Sequence, residues 1–141
     1  MDIKKLLIGG IVGGIVFFGL GYLIYGNLLV GFMQKNPGTA TGVDRAPEQM
    51  QWLYLIIGNL CMGFLLAYVL LRANVKTLAA GLITAGVVGA LMSVGYDCMM
   101  YATTNVMSKK MMAADVAAST AMSAIAGAIV ALVMNMGKKE A

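Results

Sequence analysis

Hydrophobic residues occur in four long runs that short polar segments separate, at about residues 6–30, 51–71, 77–102 and 113–136. A helix needs about 20 apolar residues to cross a bilayer, and each run is long enough. Of the 141 residues, 60% are hydrophobic and 11% are charged, whereas soluble domains contain roughly 25% charged residues. The pattern predicts an all-α integral membrane protein, with residues 1–141 forming one domain of four transmembrane helices in an antiparallel up-down bundle.

Small residues recur at every fourth position in the third and fourth runs, and residues four apart share one face of a helix. The third run contains Gly81, Ala85, Gly89, Ser93 and Asp97, and the fourth contains Asp115, Ser119, Ser123, Gly127, Ala131 and Asn135. Because lipid provides no hydrophobic drive between helices, close approach over small residues must hold them together. We therefore predict helix packing at Gly81, Ala85, Gly89, Ser123 and Gly127.

A carboxylate stands at one end of each of these two stripes. We expect Asp97 to end the third helix and Asp115 to begin the fourth, so that both lie near the same membrane surface. One interpretation is purely structural, since water reaches helix ends and a helix dipole favours an acid in the first turn. The other is a polar or ion site, because acids within membrane helices are usually functional. Its candidate residues are Asp97, Asp115, Ser93, Ser119 and Asn59, of which Asn59 lies in the second run and needs a hydrogen-bond partner, which we expect on another helix.

Two overlapping glycine pairs occur in the first run, Gly9 with Gly13 and Gly10 with Gly14. Such a face suits tight helix packing or dimerisation, and we assign Gly10 and Gly14 to it. Tyr25, near the end of this run, is expected in the aromatic belt at the membrane surface. Residues 34–50 contain prolines, glycines and balanced charges, which predicts an irregular solvated loop or a lid. The short turn at residues 72–76 predicts that the second and third helices are neighbours.

Residue usage argues against catalysis. The chain has no histidine, the usual general base and metal ligand, and no serine or cysteine has a plausible base nearby. We predict no enzyme activity, no catalytic residue, no metal and no cofactor. A weaker alternative is Cu(I) binding by Cys98 and nearby methionines, although methionine is also a common apolar filler. Cys61 and Cys98 differ in depth by roughly 15 Å, too far for a disulfide, so we expect two free thiols.

The net charge of +4 comes from scattered basic residues, which form no stripe typical of nucleic-acid binding. Membrane lipid is the expected partner of these residues. The side that holds both termini has six basic residues: Lys4, Lys5, Arg72, Lys76, Lys138 and Lys139. The other side has four: Lys35, Arg45, Lys109 and Lys110. The positive-inside rule therefore places both termini in the cytoplasm, and we predict location in the cell (inner) membrane.

Short motifs in the third and fourth runs are similar to a known family. They are Gly86 with Gly89, Tyr96 with Asp97, Thr104 with Asn105, and Asp115. This pattern resembles the small four-helix membrane proteins of domain-of-unknown-function family 2177, and the first run, with Gly19, Gly21, Tyr22, Tyr25 and Gly26, resembles the related family 1761. The resemblance implies a compact bundle of four helices and no particular activity.

Two functions remain open from the sequence. The first is a non-enzymatic bundle that forms a homo-oligomer through its glycine faces or binds a larger membrane protein. The second is a small transporter or channel subunit whose polar entrance carries the two carboxylates.

Overall fold

The computed structural model describes residues 2–136, which form helices and connecting segments without a named strand. The helices are α1 (Ile3–Leu23), extended by a π-helical segment (Ile24–Leu28), α2 (Val30–Lys35), a 3-10 turn (Pro47–Gln49), α3 (Trp52–Arg72), α4 (Leu78–Thr103) and α5 (Lys109–Asn135). Four of them, α1 with its π segment, α3, α4 and α5, are long and apolar enough to cross a membrane. The prediction of an all-α chain with four such helices is confirmed.

Side-chain caps fix where α4 and α5 begin. The hydroxyl of Thr77 accepts a hydrogen bond from the Ala80 amide at 3.1 Å, and that of Ser108 accepts one from the Met111 amide at 3.2 Å. Each hydroxyl satisfies one of the amides that a helix start leaves without a partner.

Because α4 continues to Thr103 and α5 begins at Lys109, both carboxylates lie inside their helices. Asp97 and Asp115 are each six residues from a helix end, or about 9 Å at 1.5 Å per residue. The expectation that Asp97 ends one helix and Asp115 begins the next is wrong. Asp115 is outside the first turn of α5, so the helix dipole does not explain it.

The long helices are arranged in the order α3, α1, α5, α4, with α1 between α3 and α5. α4 packs against α5 and has little contact with α3, although residues 73–77 join α3 directly to α4. The short turn therefore does not make α3 and α4 a packed pair, since α3 packs mainly against α1.

Glycine brings α1 and α3 into close contact. Gly10 lies against the Phe64 ring, Gly14 lies against Leu60, and Gly63 faces the backbone of α1 at Gly10, Gly13 and Gly14. This glycine face, which includes the predicted packing residues Gly10 and Gly14, is used within a single chain. It is buried there and unavailable to a second copy.

Small residues join α4 and α5 in the same way. Gly81 lies against Gly127 and Ala131, Ala85 against Gly127, and Gly89 against Ser123. Residue numbers rise along α4 while those of the partners fall along α5. The two stripes of small residues therefore face each other along most of their length.

The end of the bundle that contains Ile3 and Asn135, here the terminal end, is closed by buried side chains. Phe17, Leu66, Leu70, Val130 and Met134 belong to one hydrophobic cluster that extends to this end. The Asn135 amide donates a hydrogen bond of 3.2 Å to the Val75 carbonyl, which connects α5 to the turn between α3 and α4.

At the opposite end, here the loop end, two connections pack against each other. The Ala40 amide donates to the Asn105 carbonyl at 2.9 Å, and the Ser108 hydroxyl donates to the Asn36 carbonyl at 2.6 Å. Residues 36–40 are thus docked on the α4–α5 connection, while residues 41–51 are exposed.

Candidate functional site

A serine hydroxyl bridges the two carboxyl groups between α4 and α5. The Ser93 Oγ atom lies 3.5 Å from Asp97 Oδ2 and 3.4 Å from Asp115 Oδ2. A hydroxyl has one proton to donate, so Ser93 can satisfy only one of the two at a time. The Ser119 hydroxyl lies 3.3 Å from the same Asp115 oxygen. The structure therefore brings together four of the five candidate residues, which we call the acid pair (Asp97 and Asp115) and its serines.

Tyr25 extends this cluster to α1. Its hydroxyl lies 3.0 Å from Ser119 Oγ, and it belongs to the π-helical segment Ile24–Leu28, a distortion that often occurs at functional sites. The sequence predicts Tyr25 at the membrane surface and does not predict this contact with Ser119. A signal was present, because Tyr25 follows Phe17 by eight residues, a spacing that keeps both within one broad face of a helix.

Asn59, the fifth candidate, lines the same cavity without joining the acid pair. Its side-chain amide donates to the Leu55 carbonyl, one turn earlier in α3, at 2.8 Å. The predicted hydrogen bond from Asn59 to another helix is therefore wrong, since this amide is satisfied within its own helix.

A cavity of about 380 Å³ lies beside the acid pair, with all four long helices contributing to its walls. α1 supplies Phe17 and Tyr25, α3 supplies Asn59 and Met62, and α4 and α5 supply the acid pair and further apolar side chains. A separate pocket of about 10 Å³ beside Leu66, Ala85 and Gly89 shares Phe17 and Met62 with the wall of this cavity. The cavity thus has one polar end and a mostly apolar body.

Burial and hydrogen bonding leave the negative charge of this pair poorly compensated. Asp97 is only 1% exposed, and within residues 2–136 the acid pair accepts hydrogen bonds only from serine hydroxyls, each on an Oδ2 atom. The Oδ1 atoms accept none from the described chain. Two carboxylates held together in a medium of low dielectric constant repel each other strongly, so a proton or another cation is needed to balance them.

Among the described residues, no three of His, Cys, Asp and Glu come together as a group that could hold a metal ion. Cys61 and Cys98 are both free and exposed, as predicted. Cys98 follows Asp97 directly in α4, but it is not among the residues that line the cavity.

Comparison with family models, curated proteins and solved structures finds no match to this chain. The resemblance to families 2177 and 1761 stays a prediction from short motifs.

Proposed function

We propose that this chain is a small membrane carrier that binds a monovalent cation, a proton included, at Asp97 and Asp115. The observation that carries the proposal is the acid pair itself, which lines a cavity between two membrane-length helices, with Asp97 buried and Asp115 half-buried. A charged group at this depth in a membrane protein is costly and is typical of ion and proton pathways.

The proposal includes the arrangement of the chain in the membrane. The opposite directions of residue numbering at the α4–α5 contacts support an antiparallel bundle. With the positive-inside rule, the larger number of basic residues supports a cytoplasmic terminal end in the cell membrane. The acid pair would then be nearer the outer surface.

The form of the cavity favours a carrier over a channel within one chain. It stops against a region where Leu66, Ala67 and Leu70 are buried, and this region separates it from the terminal end. A carrier must open to one side at a time, so a site closed toward the terminal end is compatible with one of its two states. Release to that side would require α1 and α5 to separate there.

A bundle whose only task is association has less support. Its predicted contact faces, the glycines of α1 and the small residues of α4 and α5, are occupied inside the chain. Such packing also leaves the buried acid pair without a role.

Proton uptake into proteoliposomes tests the proposal. The purified protein is reconstituted with a pH-sensitive dye inside, and a potential that is negative inside is imposed with valinomycin and potassium. We expect internal acidification several times faster than in empty liposomes. Asp97→Asn removes the charge while keeping the side-chain size, and we expect it to reduce uptake to the level of empty liposomes.

Asp44→Asn is the matched control, because Asp44 lies in the exposed loop away from the cavity. It should acidify the interior as fast as the unaltered protein. Equal rates for Asp97→Asn and the unaltered protein would overturn the proposal, and so would an unaltered protein no faster than empty liposomes.

A further inference from the structure

The cavity beside the acid pair opens sideways, between α3 and α4. These helices have little contact with each other, and the lips of the opening are Met62 and Leu65 on α3 and Met92 and Tyr96 on α4. All four lip residues are exposed, at 36%, 39%, 41% and 60% respectively. The outer surfaces of the long helices are rich in exposed apolar side chains, which are expected to face lipid. The opening therefore leads into the hydrocarbon layer.

The walls of this open cavity, here called the groove, are apolar in one part and acidic in another. Its floor is apolar, with Phe17 only 6% exposed and Met122 only 7% exposed. Its far end contains the acid pair, and no Lys or Arg lines the cavity among the described residues. A volume of about 380 Å³ lies within the range of roughly 300–1,000 Å³ that is typical of sites for small molecules.

We infer that the groove takes an amphiphilic organic cation, which enters from the bilayer with its apolar body on the methionines and Phe17 and its positive charge at Asp97 and Asp115. This inference rests on the acid pair being the cation site of the proposed function, and it adds the class of substrate. The positive charge of the ligand compensates the negative charge of the two carboxylates. Its apolar part contacts the apolar walls, which a hydrated inorganic ion would leave without a contact.

Charge complementarity favours this occupant over the two obvious competitors. An uncharged lipid chain would fill the apolar part and leave the acid pair uncompensated. A helix from a second copy could not supply the charge at this depth, because the basic residues of the four long helices stand at their ends, at Lys4, Lys5, Arg72, Lys109 and Lys110.

Equilibrium binding to the full chain in lipid nanodiscs tests the inference with two probes of the same shape and opposite charge. These are tetraphenylphosphonium, a cation, and tetraphenylborate, an anion, each corrected for partition into empty nanodiscs. We expect saturable binding of the phosphonium, at least tenfold tighter than that of the borate. Asp97→Asn should weaken phosphonium binding at least tenfold, because it removes one of the two charges.

A second pair of variants tests whether the phosphonium binds in the groove. Met92→Trp places a larger side chain at the lip and should also weaken phosphonium binding at least tenfold. Leu132→Trp is its control, because Leu132 is 50% exposed and lies outside the cavity, and it should bind as the unaltered protein does.

Proton uptake measured on the same preparation separates the two proposals. Normal proton uptake without saturable phosphonium binding would overturn the inference and leave the proposed function standing. Phosphonium binding that depends on Asp97, without proton uptake, would support the inference and the cation site, and would overturn only proton transport by the proposed carrier. Equal affinity for the borate, or unchanged affinity in both Asp97→Asn and Met92→Trp, would show that the probe binds by apolar contact elsewhere and would also overturn the inference.

Discussion

The contact between α1 and α3 depends on the absence of a side chain at Gly63, and an alanine there should weaken the bundle. A methyl group at this position would meet the α1 backbone, with the Gly13 carbonyl carbon at 2.7 Å and atoms of Gly10 and Gly14 closer still. Carbon atoms in contact are about 3.5–4.0 Å apart, so α1 and α3 would have to separate by about 1 Å. Backbone atoms cannot rotate away as a flexible side chain can.

Forcing one extra carbon into a packed interior costs about 1–3 kcal/mol. Gly→Ala also raises helix propensity by up to about 1 kcal/mol, which would oppose this loss. Gly58 provides the matched control, because it lies in the same helix and its added methyl would meet nothing within 4 Å. Both substitutions gain the same helix propensity. Gly63→Ala should therefore be less stable than Gly58→Ala by about 1–3 kcal/mol.

The free energy of unfolding is measured for both variants by titration with sodium dodecyl sulfate in mixed micelles, followed by the fluorescence of Trp52. Gly58→Ala should unfold at or above the midpoint of the unaltered protein, and Gly63→Ala clearly below the midpoint of Gly58→Ala. If the two variants unfold at the same midpoint, α1 and α3 are not packed as described.

Two further predictions concern the ends of the bundle. A methyl group at Gly38 would meet the backbone of Val106, at 2.5 Å from its carbonyl carbon, so Gly38→Ala should undock residues 36–40 and speed proteolysis of the loop in proteoliposomes. Gly31→Ala, where the methyl group has open space, should be cleaved at the normal rate, and equal cleavage of both variants would contradict the docked loop. At the terminal end, Asn135→Ala removes the hydrogen bond to the Val75 carbonyl and should lower the unfolding free energy by about 0.6–1.7 kcal/mol in the same titration. An unchanged midpoint would mean that this bond adds nothing to stability.

The sequence was sufficient for the number of long helices and for the face between α4 and α5. Four apolar runs of the required length determine the number of long helices. Small residues at every fourth position define a helix face. The same count placed Ser93 and Asp97 on one stripe and Asp115 and Ser119 on the other, so the cluster follows once the stripes meet.

The order of the helices could not be obtained in this way. A stripe of small residues shows that a face is covered without showing which helix covers it, and the glycines of α1 fit α3, α5 or a second copy equally well. The start of the fourth helix was also misplaced, because the polar residues Lys109 and Lys110 suit a loop, whereas the predicted end of the third helix at residue 102 agrees with Thr103. In the structure, α4 ends at Thr103 and α5 begins at Lys109, so Asp97 and Asp115 each lie six residues inside a helix.

The position of Tyr25 was missed for a different reason. Tyrosine has an apolar ring and a polar tip, so a tyrosine near the end of an apolar run suits both the membrane surface and a hydrogen bond in the interior. Only the neighbouring helix decides between them, and Ser119 is 94 residues away along the chain.

The central place of α1 and α5 has a consequence for biosynthesis. Of the four long helices, the first and the last in chain order both contribute to the cluster, through Tyr25 and Ser119, so a nascent chain that has not reached α5 lacks it. Until α5 is present, the Asp97 side of α4 lacks the stripe of small residues that covers it, and in the proposed membrane arrangement a carboxylate facing lipid is costly. In that arrangement, chains that stop before α5 would expose an acid to the bilayer, a physical difference between unfinished and finished copies.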